Sequence, residues 1–513
     1  MNATPLPSNA PSMRPLAGLV GIFIAAMTVG LNNRVGALAL SDVRGALGLA
    51  LDDASWLTTV YSAGELMVMP FSIWFAITLS VRRFALWILG LCMAAALILP
   101  WVRNLESLLL LRFAQGAAGS ALIPVLMMMG LRFLPPPIRL HGLALFSMTA
   151  TFSPNLALWL AAQWTDALFD WRWVYWQIIP LLSLAGLLVG WGLPHDSIQY
   201  ERFRHGNWFG MACGMSSLGL LAVVADQWLR LDGLNSPLIA FLSMTGLAAL
   251  LVYLLSEWFH PEPFIKLQIL NGHFGLGFAM LMLLLMVAQS GSLLPVNYLA
   301  RIQDYRALQS APIGLIVGLP QLALAPLVAS LLYRQWVDAR IVFSLGLALM
   351  ALACLQGSRL DSGWLWEQFV DAQILHALGQ PMAIVSLLFL MTSVVPPRDG
   401  PYIAGFVNTL RASGILCGGT LIGQYVTRQG RVHDMMLLDH AALAGNALPM
   451  PEPAQLAGIV SQQAFVLATA DAYRLLGLLA LLLVPLALCL RYVPAPDSGV
   501  PPSSPDSSHG QAS

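Results

Sequence analysis

The sequence predicts an all-α polytopic membrane protein with fourteen transmembrane helices arranged as six, two and six. Three observations predict it. The chain is 58% hydrophobic and only 10% charged, whereas soluble proteins carry about 25% charge. Apolar runs of the ~20 residues that a helix needs to cross a bilayer recur along its length. The chain also repeats itself. The fourth run ends in Leu134-Pro135-Pro136-Pro137-Ile138-Arg139 and the twelfth in Val395-Pro396-Pro397-Arg398-Asp399. Each is followed by a run that opens with glycine and phenylalanine, Gly142 and Phe146 and then Gly405 and Phe406. Parallel repeats of this kind belong to transporters that alternate access around a midplane site.

In order, helices are expected at 16–40, 56–79, 84–102, 105–132, 139–164, 172–193, 207–229, 235–257, 272–300, 308–333, 340–358, 366–394, 401–428 and 471–492. Residues 1–15 read as a polar cytoplasmic tail. They are not a cleaved signal, because Leu16 onward continues into a full span. Residues 16–193 form the first six-helix half. Residues 194–271 hold a charged loop, two inserted helices and a linker. Residues 272–492 form the second half, with a long outer loop at 429–470, and 493–513 a disordered cytoplasmic tail rich in Pro and Ser. With the N-terminus inside, the inner segments carry twelve basic residues and the outer segments ten. That bias favours both termini in the cytoplasm and a multi-pass protein of the inner (plasma) membrane. Tryptophans such as Trp56, Trp101, Trp164 and Trp228 fall near span ends, as an aromatic belt does.

The net charge is zero, so nothing points to nucleic acid as a partner. A small-molecule substrate and the lipid bilayer are the expected partners, and no cofactor is expected. The five cysteines all lie in apolar runs without disulfide or metal spacing, which marks them as inert core thiols. His433 and His440 share a helical face in the outer loop, but a solvated amphipathic helix explains them better than a metal site. Met127-Met128-Met129 reads as lipid-facing or packing bulk. No phosphate loop, triad or carboxylate pair with a hydrolase arrangement occurs, so an enzyme is not expected.

Charged residues inside the spans carry the functional reading. Arg34, Glu65 and Arg112 fall at comparable depths of roughly 9–13 Å on the first, second and fourth spans. A charge there costs at least roughly 2.5–3.5 kcal/mol and is usually functional or paired. Glu65 with Arg34 or Arg112 satisfies both costs, either as a proton-responsive switch or as a permanent ion pair. Gln115 lies one turn after Arg112. The small residues Gly116 to Ala121 that follow let a neighbouring helix approach closely. Arg411, with Asn408 one turn before it, sits near the midplane of the thirteenth span. Aligning the repeats sets Arg112 against Gln373 and Gln115 against His376, which is either a proton-relay member or a satisfied core histidine.

These residues resemble a known family. Arg112-Phe113-Ala114-Gln115-Gly116 with Pro124 is similar to the fourth-span arginine motif of fourteen-span drug:proton antiporters of the major facilitator superfamily, EmrB/QacA type. Asp170-Trp171-Arg172-Trp173-Val174-Tyr175-Trp176 with Pro180 resembles the entry to their sixth span. Asn408-Thr409-Leu410-Arg411 resembles their thirteenth span, and Gln462-Gln463-Ala464 through Asp471 the end of their long outer loop. The likeness runs over about residues 16–492. The first-span motif differs: it has Asn32 where the family usually has aspartate, followed by Asn33 and Arg34. The fifth-span antiporter motif survives only around Pro154. The resemblance implies a major facilitator fold and proton-driven efflux of amphipathic organic compounds or drugs. It also implies a periplasmic adaptor and an outer-membrane channel as partners. A dedicated exporter of one metabolite, such as an aromatic acid or siderophore, and a transport-deficient membrane sensor or scaffold are the alternatives.

Overall fold

The computed structural model describes residues 13–134, 138–270, 273–393, 400–444 and 452–496. The tails and the proline runs of the repeat lie outside the described residues. Among the described residues every regular element is a helix. Hydrocarbon offers no water to pair backbone groups, so an apolar chain must satisfy them within its own helices. The N-terminal half contains α1 (Met13–Leu38), α2 (Leu51–Val68), α3 (Ser72–Leu79), α4 (Val81–Ile98), α5 (Leu105–Ser120), α6 (Leu122–Phe133), α7 (Arg139–Ala162) and α8 (Ile178–Gly192). Then come α9 (Trp208–Gln227) and α10 (Pro237–Phe259). The C-terminal half contains α11 (His273–Ala288), α12 (Leu293–Ile302), α13 (Ala307–Gly318), α14 (Gln321–Leu332), α15 (Ala339–Gly357), α16 (Val370–Thr392), α17 (Gly400–Ala444) and α18 (Pro453–Leu488). Polar residues start several of these helices. Asn104, Asn207 and Asp338 accept hydrogen bonds from the amides of Glu106, Gly210 and Arg340 at 2.9–3.1 Å.

Among the described residues twelve spans are long and apolar enough to cross a membrane, and a thirteenth is reached if α2 and α3 count as one span. The expected thirteenth span, 401–428, falls in α17, which is not among them. The second expected span is broken. Its two pieces bend by 58° at Met69–Phe71. Pro70 lacks the amide that would bond back to Leu66, and its ring crowds that carbonyl. The expected long loop at 429–470 is largely helix instead. α17 continues to Ala444 and α18 begins at Pro453. Sixteen residues of α17 beyond residue 428 reach roughly 24 Å further. His433 Nε2 meets Asp471 Oδ2 at 2.8 Å, joining the two helices.

Glycine decides how α2 and α5 cross. A Cβ on Gly116 would lie 2.2 Å from the carbonyl oxygen of Tyr61, and one on Gly64 would lie 2.5 Å from that of Phe113. The two backbones therefore touch, as the small residues led one to expect. In the C-terminal half Gly314 is used in the same way, 2.3 Å from the carbonyl oxygen of Asn155 on α7. Gly64 precedes Pro70 by the same interval as Gly314 precedes Pro320. That pair of signals extends the repeat to the second and tenth spans.

The halves are sealed together at the end that the charge distribution assigns to the cytoplasm. Met69, Ile73, Met127, Met128, Phe146 and Phe278 belong to one buried apolar core drawn from both halves, and the half-buried Phe406 packs against it. All three residues of Met127–Met129 are buried there, so they are packing bulk. The amide of Leu140 also donates to the Tyr333 hydroxyl across the seam at 3.0 Å. The inserted pair α9–α10 is clamped to the N-terminal half by Phe71, Trp74, Phe203, Trp208, Tyr253 and Phe264. Beside them the buried Glu257 accepts from Asn207 Nδ2 and the Ile265 amide, each at 2.9 Å.

Gly116→Ala should destabilise the protein by about 1–3 kcal/mol or more, since its methyl group meets backbone rather than a side chain that can turn away. Gly90→Ala, with nothing within 4 Å of its Cβ, should be neutral. Thermal unfolding of the detergent-purified variants checks the contrast.

Candidate transport cavity

A cavity of about 460 Å³ lies between the halves, on the side of the apolar seal away from the expected cytoplasmic end. α1, α2 and α7 of the N-terminal half and α17 of the C-terminal half supply most of its wall. The wall residues include Asn33, Arg34, Ser62, Glu65, Thr149, Pro154, Gln289 and Arg411. Of the nine residues singled out in the sequence, Arg34, Glu65, Pro154 and Arg411 therefore meet at one cavity. Asn32, Arg112, Gln115, His376 and Asn408 are buried in helix packing instead.

Glu65 lines the cavity next to Gly64, which lets α2 lie against α5, and Pro70 ends α2 just beyond it. Its Oε2 accepts from Asn33 Nδ2 at 3.2 Å. Asn33 thus stands beside the carboxylate, next to Asn32, where the family motif usually has its aspartate. Neither Arg34 nor Arg112 forms an ion pair with Glu65 among the described residues, so the expected direct pair is corrected: Arg34 shares the cavity wall with Glu65, and Arg112 does not. Arg411 on α17 donates to the Thr149 hydroxyl on α7 and, at 3.2 Å, to the Thr149 carbonyl oxygen. Its guanidinium lies 5.5 Å from the centre of the Phe146 ring. This cation therefore ties one half to the other at the cavity floor. Pro154 interrupts the hydrogen bonding of α7 at the wall, leaving the Ala150 carbonyl without its helical amide.

Arg112 is a different kind of charge. It is 1% exposed and its Nη1 donates to Gln115 Oε1 at 2.7 Å. Its guanidinium sits 4.6 Å from the centre of the Tyr61 ring and 5.6 Å from that of Tyr175. A hydrogen bond from a charged group contributes about 1.5–3 kcal/mol, and a desolvated cation–π contact about 2 kcal/mol. Together these offset the roughly 2.5–3.5 kcal/mol cost of an intramembrane charge without any carboxylate. The expected layer of Arg34, Glu65 and Arg112 is therefore split. Tyr61 lines the cavity and stands between it and Arg112.

His376 is likewise away from the cavity. Its Nε2 is 3.2 Å from the Ser290 hydroxyl, which also accepts from Cys354 Sγ at 3.2 Å. Asn408 Nδ2 donates to the Ala404 carbonyl at 2.7 Å within its own helix. Among the described residues no group of His, Cys, Asp and Glu is arranged to hold a metal ion, His433 and His440 included.

Two helical halves around a central cavity of mixed charged and apolar lining are the architecture of a membrane transport protein. Residues 22–419 match the description of the Major Facilitator Superfamily, and the chain belongs to that superfamily of secondary transporters. It is 24% identical over 411 residues to the colistin resistance protein EmrB of Acinetobacter baumannii, covering 79% of this chain and 78% of that protein. It is 22% identical over 462 residues to the multidrug export protein EmrB of Escherichia coli, covering 87% of each. The structure of the proton:xylose symporter XylE bound to 6-bromo-6-deoxy-D-glucose superposes with a TM-score of 0.58 at 10% identity, covering 94% of this chain and 98% of that one.

The partition of charges can be read by labelling. In a background with the five native cysteines replaced, Ser62→Cys and Thr420→Cys should react with a water-soluble maleimide. Gln115→Cys should stay protected until the protein is denatured.

Proposed function

We propose that the protein is a proton-driven exporter of amphipathic organic compounds that works by alternating access. One observation carries this reading: Glu65 is a titratable carboxylate on the wall of a cavity between the halves, with Arg34 and Arg411 on the same wall. The mixture of apolar and charged lining suits an amphipath, and the names of the EmrB relatives point the same way.

The coupling follows from charge balance. With Glu65 ionised, its negative charge offsets part of the field of the two arginines. A proton that enters from the outer side neutralises it and leaves both guanidiniums uncompensated. Arg411 is bonded to Thr149 across the halves, so the altered field acts on a link between them. Reorientation to the cytoplasm then releases the proton and admits substrate. In this reading Arg112 with Gln115, Asn32 and Asn408 hold the helices that rock, and His376 belongs to the core of the C-terminal half. Residues 16–193 and 272–492 act as the two rocking bodies. Both termini are cytoplasmic in an inner-membrane protein, and the α17–α18 hairpin is the surface available to a periplasmic adaptor and outer-membrane channel.

Inverted vesicles test the proposal. Wild type should accumulate an amphipathic dye in response to a proton gradient, and Glu65→Gln should lose the gradient dependence. Equal transport by both forms across about pH 6 to about pH 8 sinks the assignment of Glu65 as the coupling carboxylate.

A further inference from the structure

The cavity wall has a contributor outside both halves. Asp226 and Leu229, at the end of the inserted helix α9 and just beyond it, line the cavity together with Glu65 and Arg411. This end of α9 is fixed on two sides. The Thr59 hydroxyl on α2 donates to Asp226 Oδ2. The Thr420 hydroxyl on α17 donates to the carbonyl of Ala225 at 2.6 Å. One helix of each half thus grips the inserted one.

The charges around Asp226 are arranged unevenly. Gln227 Nε2 donates to Thr59, and Arg230 donates to Gln227 Oε1. Arg230 is also paired with Asp52 at 2.8 Å, which turns this neighbouring cation toward Asp52. Among the described residues no guanidinium pairs with Asp226, and its Oδ1 takes no hydrogen bond. Thr59 precedes Glu65 by six residues on α2, which puts Asp226 roughly 9 Å closer to the expected outer end than Glu65. The deeper level holds two guanidiniums against one carboxylate. The outer level holds a carboxylate without a cation, beside the apolar side chains of Leu229 and Leu416.

We propose that Asp226 selects substrate: it receives the positive group of a lipophilic cation at the outer level of the cavity, so that the inserted helix α9 is part of the transport pathway. The inference rests on the exporter reading of the cavity and assigns it a substrate charge.

Binding to purified full-length protein in lipid nanodiscs, without a gradient, tests this. Tetraphenylphosphonium and tetraphenylborate have the same shape and opposite charge. Wild type should bind the phosphonium. Asp226→Asn should weaken that binding by about tenfold, leave the borate no weaker, and be rescued by Asp226→Glu. Should Asp226→Asn fail to fold, Leu229→Lys places a competing cation at the same level and should weaken the phosphonium alone. Absence of phosphonium binding by wild type overturns the proposal. Equal phosphonium affinity in wild type and Asp226→Asn, or equal loss of both probes, does the same. Failure of gradient-driven efflux with charge-selective binding intact overturns the exporter reading instead.

Discussion

A charge inside a membrane protein cannot be left to water, and the interior of this protein is organised by how each such charge is met. Arg112 is met by a glutamine and two tyrosine rings, and so needs no carboxylate. That frees Glu65 to face the cavity rather than close an ion pair. Arg411 is met by a threonine of the opposite half, so the same bond that satisfies it also joins two bodies. Charge satisfaction and conformational coupling are thereby one arrangement.

Small residues make that arrangement reachable. Where Gly64 and Gly116 let α2 and α5 touch, Tyr61 is brought over Arg112, and Glu65, one turn further along the same face, lines the cavity. A bulkier residue at either glycine would push the ring away from the guanidinium. Pro70 then bends the chain, so that α3 joins the apolar seal. The corresponding glycine and proline at Gly314 and Pro320 shape the tenth span. The repeat is thus written in backbone constraints as well as in side chains.

The two helices between the halves pack unequally. α10 packs chiefly on α9 and exposes Phe241, Met244, Leu247 and Leu251 on its outer face, as a lipid-facing helix does. α9 instead lies between α10 and α2, and its last turn reaches the central cavity. The aromatic clamp at the other end of the pair holds it to the N-terminal half.

Composition and hydropathy by themselves determined the all-helical membrane fold, because of the two ways to pair a backbone in hydrocarbon, helix and closed barrel, only the helix suits continuous apolar runs of about 20 residues. The residues that carry intramembrane charge were equally legible, since each is a polar interruption of an apolar run. Which of those charges meet was not. Arg34, Glu65 and Arg112 have similar depths along the bilayer normal, but depth says nothing about rotation around each helix axis. Helix contacts set that rotation, and they turned Arg112 into a tyrosine-lined niche and Glu65 into the cavity. The same limit hid Asp226, which reads as a loop-proximal acid at a span end until the packing of α9 against α2 and α17 aims it inward. Tertiary structure alone decided these neighbours, because they come from helices far apart in the chain.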